Sequence, residues 1–285
     1  MKKILILGVS GMAGHVVFTY LDKLKKYKIL GTTNSNSFGD RDVKININDK
    51  EKFEKILNDF QPDFVINCVG VLIKSTNKSP ENAIYANSYF PHYLARLGHE
   101  FGFKLLHIST DCVFSGKEGK YIESSLKNAI DLYGLSKSLG EIIDKRNITI
   151  RTSIIGPEIK KNGEGLFDWF MNQEIEINGY KSNFWSGVTT LELARFIDWV
   201  LDKNIVGLIH LTNNVSISKY DLLKLISNIF NKKVRIYSDK DYICDKSFIN
   251  TNKDITFKVF SYNEMIKNMK SFMEEYRQFY SKYKF

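Results

Sequence analysis

Apolar residues in the first half of the chain follow two alternating patterns. The short apolar run 4–7, and 64–68 with Pro62 just before it, predict buried core strands. Between them, apolar positions recur every three or four residues, and Ala13, Val17, Leu21 and Leu24 share one face of a predicted helix. The rhythm continues with strands expected at 29–32, 105–109 and 148–155. Helices are expected at 51–60, 80–101 and 131–144. Strands that alternate with helices need crossover connections, hence a parallel sheet covered on both faces. The expected fold class is α/β, a Rossmann-type doubly wound parallel sheet with a smaller C-terminal α/β lobe.

Beyond Gly156-Pro157 the pattern loosens. Asn162, Gly163 and Gly165 mark a loop, and 179–187 is aromatic and polar with no clean period. A helix is expected at 191–201, a strand at 208–211, and a helix at 218–230 with Ser218 as its N-cap. Near the end, Met265, Met269, Phe272, Tyr276, Phe279 and Tyr283 repeat at helical spacing. No repeat, low-complexity segment or flexible linker interrupts the chain. The division expected is 1–155 for a dinucleotide-binding domain and 156–285 for a substrate lobe, interleaved as one unit.

Composition narrows the function classes. A chain of 285 residues that is 43% hydrophobic can bury a sizeable core. No run reaches the ~20 apolar residues of a membrane span. The apolar stretch between Lys3 and Gly8 is shorter than the core of a secretory leader, so a cytoplasmic location is expected. Cys68, Cys112 and Cys244 are far apart and odd in number, which argues against a disulfide framework. The histidines form no metal-binding pair, and no metal site is expected. The net charge of +9 comes from dispersed lysines, without a basic block interleaved with aromatics. Nucleic acid and membrane are therefore not expected partners, while a mild positive field suits a polyanionic small ligand.

The first strand runs into Gly8-Val9-Ser10-Gly11-Met12-Ala13-Gly14. Gly8 permits a tight turn, Gly11 permits close approach of a pyrophosphate, and Gly14 permits the helix to pack on the sheet. The helix N-terminus would offer its unpaired amides to phosphate. Glycines at this spacing also serve plain turns. Their position, directly after a core strand and opening an amphipathic helix, is what points to a dinucleotide. The second strand ends at Thr33-Asn34 with no acidic residue before Asp40. An acid there would hold the ribose of NAD. Its absence, with Arg41 available for a 2′-phosphate, favours NADP(H) over NAD(H). The alternative is that Thr33 or Asn34 bonds the NAD hydroxyl.

Tyr133-Gly134-Leu135-Ser136-Lys137 places a phenol and an ammonium four residues apart on one helical face. A nearby cation favours the phenolate, so such a tyrosine could exchange a proton with a substrate oxygen. Alone, the pair could equally be a solvated helix face. Upstream, Ser109-Thr110-Asp111 closes a core strand, and ligands of open α/β sheets lie beyond strand carboxyl ends.

Glycine loop, Ser-Thr-Asp-Cys-Val-Phe-Ser-Gly stretch, Tyr-Gly-Leu-Ser-Lys helix and the weaker Ser186-Gly187-Val188-Thr189-Thr190 occur in order. In these motifs the chain resembles the extended short-chain dehydrogenase/reductases, and more narrowly the dTDP-4-dehydrorhamnose reductase group of sugar-nucleotide reductases. The resemblance implies a nucleoside-diphosphate sugar substrate, a nicotinamide cofactor and a homodimer formed through 80–101 and 131–144. Carried over by motif, Thr110 would bond the substrate oxygen and Tyr133 would be the acid. Lys137 would lower the Tyr133 pKa and hold the nicotinamide ribose. The cofactor set would be Gly8, Ser10, Gly11, Met12, Gly14, Thr33, Asn34, Arg41, Asn46, Ile47, Cys68, Val69 and Gly70. Lys74 and Trp185 are candidate substrate contacts, with a buried aromatic patch as the other reading of Trp185. Asn46 stands where relatives carry an aspartate, Cys112 where they carry a tyrosine, and Asn67-Cys68-Val69-Gly70 replaces their alanine-rich turn. The implied reaction is reduction of a 4-keto-6-deoxyhexose in deoxysugar biosynthesis for surface polysaccharide. Its rivals are an epimerase or dehydratase of the same family and a non-catalytic regulatory subunit on the same fold.

Overall fold

The computed structural model describes residues 1–34 and 38–285. Its central sheet has seven strands, and all its pairings are parallel. In chain order the first six are β1 (Lys2–Leu7), β2 (Tyr27–Thr33), β3 (Asp42–Lys44), β4 (Phe64–Asn67), β5 (Lys104–Thr110) and β6 (Ile148–Thr152). The seventh, Gly207–His210, comes from the second half of the chain and pairs with β6. The spatial order is β3, β2, β1, β4, β5, β6 and then that edge strand. Direction of winding reverses between β1 and β4, and open α/β sheets bind ligands in the crevice at that switch.

The apolar run of β1 explains the two layers. Successive side chains of a strand face opposite ways. Ile4 and Ile6 join a core with Val16, Val17, Phe196, Ile197 and Met269. Leu5 and Leu7 join the other, with Phe53, Leu57, Phe90 and Leu94. Val65 with Ile66, and Leu105 with Leu106, divide the same way. Each such fully buried side chain contributes about 1.5–3 kcal/mol. A strand with both faces buried shows no polar alternation, which is why these runs are continuous.

Several boundaries differ from expectation. The stretch 80–101 is three pieces: an α-helix at Pro80–Ile84, a π-turn at Tyr85–Tyr89 and an α-helix at Phe90–Phe101. The helix expected at 131–144 spans only Leu132–Leu139, capped by the Asp131 carboxylate accepting from the Gly134 amide. It stops because Gly140 packs against the Asn87 carbonyl, and Glu141 turns inward to bond Arg151. The strand expected at 148–155 ends at Thr152, and Ile154–Ile155 pairs instead with Val188–Thr189. The aperiodic stretch 179–187 carries short strands at Glu176–Tyr180 and Asn183–Trp185. Near the C-terminus the helix spans Tyr262–Glu275, opened by a capping box of Ser261 and Glu264. No helix among the described residues is long and apolar enough to cross a membrane.

Candidate active site

The glycine loop is built by hydrogen bonds to the neighbouring strand. The amides of Gly8 and Val9 both donate to the Thr32 carbonyl at 3.0 Å, and Gly11 donates back to Gly8 at 2.9 Å. Gly8 has φ +80°, a conformation that favours glycine. Gly14 needs its bare Cα for another reason: a Cβ there would run into the Gly8 carbonyl. The helix α1 (Met12–Lys23) starts at the loop's end. Its first amides have no intrahelical acceptor and carry the positive end of the helix dipole.

Behind the loop, His15 is fully buried. Its Nδ1 bonds the Gly11 carbonyl at 2.8 Å and its Nε2 bonds the Tyr280 hydroxyl at 2.9 Å. Burial pulls its pKa down to about 4, so the ring is neutral near neutral pH. A neutral ring fits both bonds, donating to the carbonyl and accepting from the phenol.

A cavity of about 440 Å³ opens in front of the loop. Of the residues expected to hold a cofactor, Gly8, Ser10, Gly11, Thr33, Asn34, Asn46, Ile47, Cys68, Val69 and Gly70 line it. Met12 and Gly14 do not; Gly14 serves packing, and Met12 lies against Gly165. Arg41 does not line it either. Its guanidinium is held by Asp22 at 2.6 Å and lies over the Phe18 ring, so it is committed away from the cavity. Asp42, unremarked in the sequence, accepts from the Thr33 hydroxyl at 3.2 Å and from the amides of Phe38 and Gly39. An acid absent from the strand end in sequence thus stands beside it in space. It is not among the lining residues, and the described lining carries no carboxylate. Glycines at the loop, amides at the helix end and a carboxylate-free wall fit an anionic dinucleotide.

The turn 68–71 is held from behind. The Val71 amide donates to Asn87 Oδ1 at 2.9 Å, and Asn87 Nδ2 donates to the Val71 carbonyl at 3.0 Å and to Ser136 at 3.1 Å. The π-turn presents Asn87 to both partners, a use typical of π-bulges at sites. It couples the cavity wall to the helix carrying Tyr133 and Lys137.

Thr110 ends β5. Its hydroxyl donates to Asp111 at 3.1 Å and accepts from the Cys112 amide at 3.2 Å. It also meets the Tyr133 phenol, and this bond favours the phenolate. Lys137 is buried, and its Nζ donates to the Ile108 carbonyl at 2.7 Å. Burial draws its pKa down to about 8, opposed by the charges of Glu141 and Cys68. Cys68, whose thiol burial pushes up to about 12, lines the cavity and feels the Lys137 charge. Thr110, Tyr133 and Lys137 therefore gather at the carboxyl end of β5 beside the glycine-loop cavity.

One expectation fails here. Tyr133 is not held below its ordinary pKa. Burial raises it, followed by Cys112, and Thr110 is the group that opposes the rise. The Lys137 ammonium donates to the Ile108 carbonyl, and Lys137 is not among the groups that shift Tyr133 most. The phenol is accordingly kept protonated, the form an acid needs.

Lys74 is exposed on the short helix Ile73–Lys78 and does not line the cavity. Trp185 is buried at 3% exposure, packed on Tyr262 and capped by the Lys219 ammonium. It is the buried aromatic of the alternative reading. Sequence reasoning missed Thr32, Ile45, Asn48, Val71, Asn82, Tyr85, Ala86 and Lys160 in the lining. Asn82, Tyr85 and Ala86 share the spacing of one helical face, a signal available in advance. Lys160 lies in a loop and gave none.

The site can be set beside known proteins. A family model described as RmlD substrate binding domain matches residues 1–245. Methionine adenosyltransferase 2 subunit beta of Xenopus laevis is 26% identical over 244 residues, spanning 81% of this chain and 72% of that protein. The dTDP-4-dehydrorhamnose reductase of Aggregatibacter actinomycetemcomitans is 26% identical over 235 residues, spanning 78% and 76%. The structure of dTDP-4-dehydrorhamnose reductase from Bacillus anthracis in complex with NADP matches with a TM-score of 0.80 at 22% identity, covering 96% of this chain and 99% of that one. At that identity the likeness is one of fold.

Proposed function

This chain belongs to the RmlD substrate binding domain family, and from that premise we propose that it is an NADP(H)-dependent reductase of a nucleoside-diphosphate 4-keto-6-deoxyhexose, serving deoxysugar biosynthesis. The observation that carries the reading is the convergence of Thr110, Tyr133 and Lys137 at the end of β5, next to a glycine-loop cavity. A reduced nicotinamide, when bound, supplies the hydride. Tyr133, protonated and half-buried, gives its proton to the carbonyl oxygen. Thr110 holds that oxygen and steadies the phenolate left behind. Lys137 would add positive charge to favour the developing alkoxide and would hold the nicotinamide ribose.

NADP(H) is preferred over NAD(H) because the described lining has no carboxylate to repel a 2′-phosphate. Arg41, paired with Asp22, no longer supports that preference. A homodimer is part of the same reading. Leu135, Leu139 and Ile143 expose apolar side chains at 45%, 69% and 61%, on the helix of Tyr133 and just after it. Such a patch is costly to leave in water.

The test is a screen of nucleoside-diphosphate 4-keto sugars for loss of reduced-nicotinamide absorbance, with NADPH and NADH side by side. Stoichiometric consumption supports a reductase. Conversion of a sugar without net consumption would instead indicate an epimerase. A second reading, a regulatory subunit without turnover of its own, is favoured by the methionine adenosyltransferase 2 subunit beta relative. Tight dinucleotide binding with no turnover on any sugar nucleotide would select it.

A further inference from the structure

The geometry points to Lys160 as a cation that closes over the diphosphate of the dinucleotide, carried on a strap held in place by the C-terminal segment. The inference rests on reading the glycine-loop cavity as a dinucleotide site. Lys160 lines the same cavity as Gly8, Ser10 and Gly11, and among the described residues it is the charged side chain of that lining. The loop itself offers a diphosphate only amides and a helix dipole. An ammonium facing them from across the cavity would complete the enclosure of a doubly charged group.

The strap, residues 156–165, leaves the short strand Ile154–Ile155 and runs to the helix Leu166–Met171. Three contacts hold its backbone and a fourth holds a side chain. The Glu158 amide donates to the Tyr283 hydroxyl at 2.9 Å, and the Gly165 amide donates to Glu158 Oε1 at 2.7 Å. Lys282 Nζ donates to the Lys160 carbonyl at 2.6 Å. Ser75 Oγ donates to Glu164 at 2.9 Å. A Cβ on Gly165 would lie 3.0 Å from Met12 Sδ, so the strap passes directly over the first residue of α1. Its anchors therefore flank the glycine loop on one side and the turn 68–71 on the other. That is the end of the cavity where a helix N-terminus meets an anion.

The division of labour follows from these bonds. Lys282 grips the carbonyl of Lys160 from behind, while the Lys160 side chain itself is exposed. The backbone is positioned and the four-carbon stem stays free to swing onto a ligand. Holding the backbone reduces the ordering cost that a flexible lysine on a free loop would meet.

The experiment titrates the full-length wild type, Lys160→Met and Lys160→Arg with NADH and with NADPH, following intrinsic fluorescence at low and high salt. Lys160→Met should raise Kd about tenfold for both dinucleotides. The gap should narrow at high salt, and Lys160→Arg should keep most of the affinity. Equal Kd values for wild type and Lys160→Met would overturn the inference while leaving the cavity reading intact. Weakening of NADPH alone would overturn the diphosphate assignment in favour of the 2′-phosphate. Failure of the wild type to bind either dinucleotide would defeat the cavity reading itself. Thermal unfolding of the variants separates lost contact from lost fold.

Discussion

Lys137 donates its Nζ proton to the Ile108 carbonyl at 2.7 Å, so the ammonium is anchored on the strand that ends in Thr110. Its burial draws the pKa from the ordinary 10.5 to about 8. The charged form is the one that can hold a ribose and steady an alkoxide. Dinucleotide affinity should therefore fall as pH rises through about 8. Stability should move the other way. Between about 8 and 10.5 the unfolded chain binds more protons at this lysine than the native one, so its contribution to stability rises with pH. Calorimetric titration and thermal unfolding across that window check both signs. Lys137→Met should flatten both profiles.

Tyr133→Phe removes the acid and keeps the ring. Turnover should fall by about 10²–10⁴, with dinucleotide affinity unchanged. Steady-state kinetics beside a binding titration provide the check. Wild-type turnover in this variant would defeat the assignment of the acid.

Gly14→Ala sets helix propensity against packing. Alanine is the better helix former by about 1 kcal/mol, but its Cβ would run into the Gly8 carbonyl. Backbone cannot give way as a side chain can, so packing wins. The variant should lose about 1–3 kcal/mol of stability and most of its dinucleotide affinity. Denaturant unfolding with a cofactor titration would show both.

His15 predicts acid sensitivity. Its pKa is 6.5 ordinarily and about 4 in the fold. As pH falls from about 6.5 towards 4 the unfolded chain takes up the proton first, and stability is lost over that window. The loss from this one group is on the order of 3 kcal/mol. His210, with its pKa also drawn to about 4 by burial, adds to the same slope. The melting temperature should drop across this range, and His15→Asn should show a shallower drop.

The apolar face of Leu135, Leu139 and Ile143 predicts self-association. Leu139→Lys should shift the sedimentation coefficient towards the monomer and leave the melting curve of the isolated chain largely unchanged. A wild type already monomeric at high concentration would remove the dimer from the proposal.

Much of this fold was legible because β-α-β units announce themselves locally. Ile4–Leu7 is apolar on both faces, and α1 repeats at the helical period, so neither needs tertiary information. The residues proposed for catalysis were legible for the same reason, since a strand end and a helical i, i+4 pair are local patterns. What stayed hidden depends on contact. The helix of Tyr133 ends early because Glu141 is captured by Arg151, a partner from the next strand. Arg41 looked free for a phosphate until Asp22 was seen to claim it. The Tyr133 phenol looked acidified by its sequence neighbour Lys137, whereas burial decides its protonation. Lys160 reaches the cavity only through a strap whose anchors lie on other elements.

The bond between His15 and Tyr280 joins residues 265 positions apart. The sheet likewise waits for Gly207–His210 before its β6 edge is covered. A chain emerging from the ribosome can form β1 and α1 early. It cannot finish the glycine loop's support until Tyr280 has been synthesised. Long-range closures of this kind slow folding. The nascent N-terminal half would therefore persist for a time with an uncovered strand edge and an unbraced glycine loop. Demand for chaperone protection should be greatest in that interval, and it should end with the arrival of the last tyrosines.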